Sequence, residues 1–341
     1  RLPHSAGEAA YVRAAFGSDR LALATGLLVL AVALVSAAAI AKGAGGYVAA
    51  FVPLPADLLA LALIGLLGAI AAWGVREALS VAAVMTVIEV GGLLAIVTGA
   101  AVSHPAAMLH QIGAGLAVMP DLETVRGILG AFMLAFFAFI GFESLVNLAE
   151  EAHAPSRLIP RAIFATLALS TVLYVLVVTA AMVAVPADEL AASATPLALV
   201  FVRATGAAPQ LIAAIAVFAT INGVIAQIIL AARVIYGLAR QGQLPALLGR
   251  VAPRTGTPLV ATAVATGLTF ALAAIGTLDQ LADMTSRLML AVFALVHAAL
   301  IAIHRRGDPA PADVFHAPRW VPPAGFAACV LLLFAGIAFW G

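Results

Sequence analysis

The sequence predicts an all-α polytopic membrane protein, and three observations carry that prediction. Of 341 residues, 64% are hydrophobic and 10% charged, whereas a soluble domain averages about 45–50% apolar and about 25% charged. Several apolar runs exceed the roughly 20 residues that carry a helix across a bilayer. The ~10-residue alternating segments of a transmembrane β-barrel are absent. A net charge of +1, without a basic patch interleaved with aromatics, gives no reason to expect a nucleic-acid partner. The single cysteine, Cys329, allows no internal disulfide and suggests no metal cluster. With no HExxH pair, no P-loop and no GxGxxG after a strand, neither an enzyme nor a metal or cofactor is expected.

The runs follow one another in a readable order. Arg1–Arg20 is a polar, interfacial lead-in that Gly17 closes. The first run spans Leu21 to about Val52, long enough to cross at a steep tilt. Pro53 and Pro55 punctuate the turn before the second, Leu58–Trp73, and Arg76 and Glu77 mark the next turn. The third is Leu79–Val102. A moderately polar external excursion, His104–Thr124, separates it from the fourth, Val125–Leu148. The fifth, Arg161–Val185, ends at Pro186, and Ala187–Gln210 reads as an external loop with a short helix. The sixth is Leu211–Ala239; Gly242, Pro245, Pro253 and Pro258 then break the chain. Leu259–Ile275, Leu281–Ile303 and Trp320–Trp340 complete nine expected spans. Alternating them places thirteen of the 17 Lys and Arg on one side, three on the other and Arg287 within a span. The crowded side is expected to be cytoplasmic.

The stretch Phe136–Ile163, FFAFIGFESLVNLAEEAHAPSRLIPRAI, organises the rest. It enters as a span, carries Gly141 and Glu143 within the apolar run, and leaves through an acidic, then proline- and arginine-punctuated loop. An ionisable residue inside a span is costly unless it faces a cavity or a partner. Glycine lets a helix unwind at little steric cost. Broken helices beside such groups are how secondary transporters build substrate sites. The same residues also permit a plainer reading, with Gly141 as a packing contact and Glu143 as a hydrogen-bonded buried acid.

This stretch resembles the sixth span and following loop of amino acid permeases of the amino acid–polyamine–organocation superfamily. A second segment, Asn222 through Arg233-Val-Ile-Tyr-Gly-Leu-Ala-Arg240-Gln-Gly-Gln-Leu-Pro245, resembles that family's eighth span and exit loop. The similarity runs over essentially the whole chain. It implies a LeuT-like inverted-repeat transporter fold of about nine transmembrane helices, one of them discontinuous. Residues 1–341 would form a single permease domain, family spans three to eleven, without a soluble domain. The first two spans, and the twelfth found in most relatives, would then be missing.

The resemblance also assigns candidate roles. A break near Ile140–Gly141 would free backbone carbonyls of Phe137, Ala138 and Phe139 to receive a substrate ammonium, and Phe137 corresponds to an aromatic gate. Ser36, Ala37 and Ile40 correspond to positions that line the pocket. They include no acid, which favours neutral substrates. Asn222 is a candidate substrate contact, or else bonds a neighbouring helix. Glu143 corresponds to a proton-sensing acid in some relatives. Glu89, about ten residues and so ~15 Å into its span, is the second proton-coupling candidate, or a structural acid. Lys42 lies too shallow to pair readily with Glu89 and is expected to snorkel outward. Asp283 and Arg287, four apart on one helix, are expected to pair; His297 reads as a hydrogen-bonded core residue.

The expectation is a multi-pass protein of the cytoplasmic (inner) membrane that moves amino acids by alternating access, coupled to protons. An amino acid or amine exchanger remains an alternative, as does a membrane sensor or subunit that has lost transport. The sequence leaves the oligomeric state open.

Overall fold

The computed structural model describes residues 7–74, 79–117, 121–148, 154–307, 315 and 317–340. The helices in chain order are α1 (Gly7–Phe16), α2 (Asp19–Val48), α3 (Ala56–Trp73), α4 (Leu79–Ser103), α5 (Pro105–Ala117) and α6 (Leu122–Phe139). A 3-10 helix, Phe142–Leu148, continues α6 after a break. Then come α7 (Pro155–Ala184), α8 (Ala187–Ala192), α9 (Pro196–Thr205), α10 (Gln210–Arg240), α11 (Leu259–Ile275), α12 (Leu278–Arg306) and α13 (Val321–Trp340). Seven of these, α2, α3, α4, α6, α7, α10 and α12, are long and apolar enough to cross a membrane. The apolar α11 and α13 stand where the remaining two spans are expected.

The helices begin and end where backbone chemistry allows. Ser18 caps α2 by accepting the Leu21 N–H, and Asp121 caps α6 by accepting that of Thr124 at 2.7 Å. Those bonds from Thr124 hold the exposed Asp121 carboxyl below the usual range. Thr277 and Gln280 cap α12 reciprocally, so it starts three residues before its apolar run. Pro155 opens α7, where a missing N–H costs nothing, so α7 starts earlier than the run at Arg161 suggests. The excursion 104–124 is mostly helix, since α5 fills it, and 187–210 holds two short helices rather than one. The turn at Arg76 and Glu77, and the acid pair Glu150 and Glu151, lie outside the described residues.

Helix α2 is the spine. Ala33, Ala37, Ala38, Ala39, Ala41 and Ala44 are fully buried along it, and it packs against α1, α3, α10, α11 and α12. Lipid tails are as apolar as leucine, so membrane helices associate through close backbone approach, which small residues permit. The α3–α11 contact shows the same logic: a Cβ on Gly68 would overlap the Thr266 side chain. A second group is built from α4, α5, α7 and α9 around Ile96, Ala180, Val200 and Phe201. The long α10 touches both groups, while α6 leans on α12 and α13.

Polar anchors hold the periphery. Lys42 Nζ reaches outward to Asp57 at 2.7 Å, so it does not pair with Glu89. Arg203 binds Glu189 at 2.7 Å between α8 and α9. On α12, Arg287 makes the expected two-pronged contact with Asp283, at 2.6 and 3.1 Å. Arg306 donates to the carbonyls of Ala15 and Ala14, closing the end of α1. His297 lies against Gly325 of α13, where a Cβ would overlap the imidazole ring.

Two predictions follow from packing and burial. Gly68→Ala is expected to lower the thermal unfolding temperature in detergent, at a cost of about 1–3 kcal/mol, with partial recovery when Thr266 is also shortened to Ala. Burial raises the Glu8 carboxyl above its ordinary 4.5. A raised carboxyl favours the folded state below that ordinary value and loses this advantage as pH rises through the folded value. Glu8→Gln is therefore expected to raise the unfolding temperature at neutral pH, with the gain disappearing at acid pH; a gain independent of pH would contradict this.

Candidate functional site

The break after α6 is local and well defined. Ile140 leaves the helix for an extended conformation, φ −64° and ψ 133°, and its N–H reaches back only to the Phe137 carbonyl at 3.2 Å. Gly141 follows at φ +130°, a region that side-chain-bearing residues rarely adopt, although open space surrounds its Cα. The constraint there is backbone conformation rather than crowding. The Gly141 N–H donates to Glu143 Oε2 at 2.7 Å, so the carboxylate folds back and caps the interruption. In lipid an unsatisfied backbone group costs several kcal/mol, and this bond removes one.

A second group of the break is satisfied from α7. The Tyr174 hydroxyl donates to the Ala138 carbonyl at 2.8 Å, and its ring meets Phe139 edge-on at 5.1 Å. Ala138 was expected to offer a free carbonyl to substrate; the tyrosine occupies it instead. Sequence reading missed Tyr174, although a tyrosine in an apolar helix is itself a signal, because its hydroxyl needs a partner. Ser286 was missed too. Fully buried on α12, it donates to the Met133 carbonyl at 2.6 Å, one turn before Phe137. The break is thus held between α7 and α12.

Across from it stands α2. Phe137, Ile40 and Ile221 pack against one apolar cluster that includes Ala37, Val224 and Ile228. Ser36 is buried beside Ala37 in sequence. Ile40 closes on Gly223 of α10, where a Cβ would sit 3.3 Å from it. Ile140 joins a neighbouring cluster of Val32, Met289 and Val292. Phe136 and Phe142 lie on either side of Phe293, at ring distances of 6.2 and 5.8 Å. The structure therefore brings Phe137, Ile140, Ala37 and Ile40 to a common region among α2, α6, α10 and α12. Asn222 is half-buried, next to Gly223, and bonds no neighbouring helix among the described residues.

The acids are spread over three helices. Glu143 closes the break after α6, and Glu8, not singled out from sequence, is on α1. Glu89 lies half-buried on α4, which packs with α7, α9 and α10. On α10, Gln227 Oε1 is buried without a hydrogen-bond partner among the described residues, one turn beyond Gly223.

A bundle of membrane-crossing helices with one span broken at a glycine, and a carboxylate folded over the break, is the architecture of a multi-pass membrane transporter. Comparison with known families makes this specific: the amino acid permease family matches residues 1–341, and the chain belongs to that family. It is similar to the branched-chain amino acid permease of Bacillus subtilis, 28% identical over 61% of this chain and 45% of the relative. It also resembles the vacuolar cationic amino acid transporter 4 of Arabidopsis thaliana, 27% identical over 79% of this chain and 42% of the relative. The methylthioribose transporter of B. subtilis is 27% identical over 63% and 45%. The chain thus spans about half the length of these relatives. It is a multi-pass membrane protein, in a bacterium one of the inner membrane.

The geometry of the break generates two expectations. Tyr174→Phe keeps the ring against Phe139 but strips the Ala138 carbonyl of its donor, and is expected to cost about 1–3 kcal/mol of stability. Gly141→Ala forces a strained backbone or straightens the break, at about 1–3 kcal/mol. Thermal unfolding in detergent measures both; wild-type stability in either variant would mean that the break is not held as described.

Proposed function

We propose that this chain is the transport core of an amino acid permease, corresponding to family spans three to eleven, which moves amino acids by alternating access. The observation that carries this reading is the interrupted α6, capped by Gly141 and Glu143, with Phe137 packed on the apolar cluster that includes Ala37 of α2. In this reading the substrate ammonium meets carbonyls at the end of α6, where the helix dipole is negative. Tyr174 takes the Ala138 carbonyl and the Ile140 N–H that of Phe137, which leaves that of Phe139 as the acceptor. Phe137 closes over the ligand as a gate, and Ser36, Ala37, Ile40 and Asn222 line its flank. The apolar surroundings favour a neutral side chain, in keeping with the branched-chain permease among the relatives.

Proton coupling is assigned to Glu143. When ionised it can hold the Gly141 N–H; protonation weakens that bond and loosens the cap, linking proton uptake to the break. Glu89 is the second coupling candidate.

Uptake of an amino acid panel into proteoliposomes containing the full-length protein tests this reading. Gradient-stimulated uptake of neutral amino acids is expected, with the stimulation lost in Glu143→Gln. Phe137→Ala is expected to lower uptake kcat/KM by about tenfold, or 1.4 kcal/mol, as fits the loss of one aromatic contact. Coupling unchanged in Glu143→Gln would move the proton site to Glu89. Uptake that ignores the gradient and requires internal substrate would establish an exchanger.

A further inference from the structure

A cleft far from the α6 break remains without a role. Where α3 ends, the last turns of α10 and the start of α11 enclose a cavity of about 110 Å³. That is room for several waters at about 30 Å³ each. Arg233, Gly256, Thr257 and Thr262 line it, together with Gly74. The Thr257 hydroxyl donates to the Ala72 carbonyl at 2.8 Å and so binds the loop to the end of α3. Gly74, at φ +98°, lets the Thr255 carbonyl approach to 2.9 Å of where a Cβ would stand. The loop therefore forms a fixed wall.

Arg233 brings a positive charge to the cavity. It is exposed and forms no ion pair with an acid among the described residues. A guanidinium is a favourable partner for phosphate oxygens.

The cavity also continues into an apolar groove. Gly74 lines both it and a neighbouring groove of about 280 Å³ formed with Ala69, Ile70 and Trp73. Trp73 is 84% exposed. Tryptophan concentrates at the headgroup level of membranes, and the charge pattern places this end of α3 on the cytoplasmic side. A soluble phosphate would use only the polar cavity. A phospholipid would use both parts, headgroup on Arg233 and acyl chain along Ile70 and Trp73.

We propose that the Arg233 cavity and the Trp73 groove together bind an anionic phospholipid of the cytoplasmic leaflet. The lipid clamps the end of α3 to the start of α11. The site does not depend on the substrate assignment above.

Native mass spectrometry of the full-length protein, titrated with dioleoyl-phosphatidylglycerol, dioleoyl-phosphatidylcholine or inorganic phosphate, tests it. Phosphatidylglycerol is expected to bind, and its affinity to fall about tenfold in Arg233→Gln, as loss of a hydrogen bond to a charged group implies. Gly256→Asp offers a second variant. Its Cα faces open space at φ +67°, a conformation that aspartate and asparagine tolerate. The aspartate is expected to repel the lipid, whereas Gly256→Asn leaves binding unchanged. Equal binding of phosphatidylcholine, or phosphatidylglycerol binding that ignores both charge variants, would overturn the proposal. Binding of inorganic phosphate as tight as that of the lipid would identify a soluble anion instead and overturn it equally.

Discussion

Everything in the centre of this structure depends on how the backbone is satisfied where α6 is interrupted. In a bilayer, irregular backbone survives only where protein or a cavity supplies hydrogen-bond partners. Here Gly141 supplies the conformation, Glu143 accepts the freed N–H, and Tyr174 donates to the freed Ala138 carbonyl. Each partner comes from a different place: the residue two positions on, and a helix 36 positions away. The cap is a carboxylate rather than a neutral group, and the function proposed above uses that group, Glu143 Oε2, as the proton carrier.

The rest of the bundle gives the break something rigid to work against. Fully buried alanines let α2 sit close to five neighbours, and Ser286 fixes α6 to α12 just before the interruption. Apolar packing then surrounds Phe137 and Ile140. Arg306 holds the end of α1 on α12. The family relation agrees with this architecture, since the whole chain matches the amino acid permeases.

Much of this was legible in the sequence. The helical membrane class followed from apolar run length; Gly141 and Glu143, two positions apart inside one run, left a break and a plain packing role both open, and the resemblance to amino acid permeases implied the break. The Asp283–Arg287 contact followed from helical spacing. Helix ends were read too short wherever polar residues cap or extend a span, as at Thr277 and Pro155. The roles of Tyr174 and Ser286 were not legible, because each bonds a residue distant in sequence and belongs to a type common in spans. Lys42 was expected to snorkel outward rather than pair with Glu89, and the folded chain supplies the partner that holds it there, Asp57 at 2.7 Å.

The central claim is that substrate binds at the interruption. Hydrogen–deuterium exchange of the full-length protein in lipid nanodiscs, with and without a saturating neutral amino acid, tests it most directly. The account predicts slower exchange on binding in the peptide covering Phe136 to Leu148 and in the facing segment of α2 around Ser36 to Ile40. Unchanged exchange there, with protection confined to other helices, would contradict it.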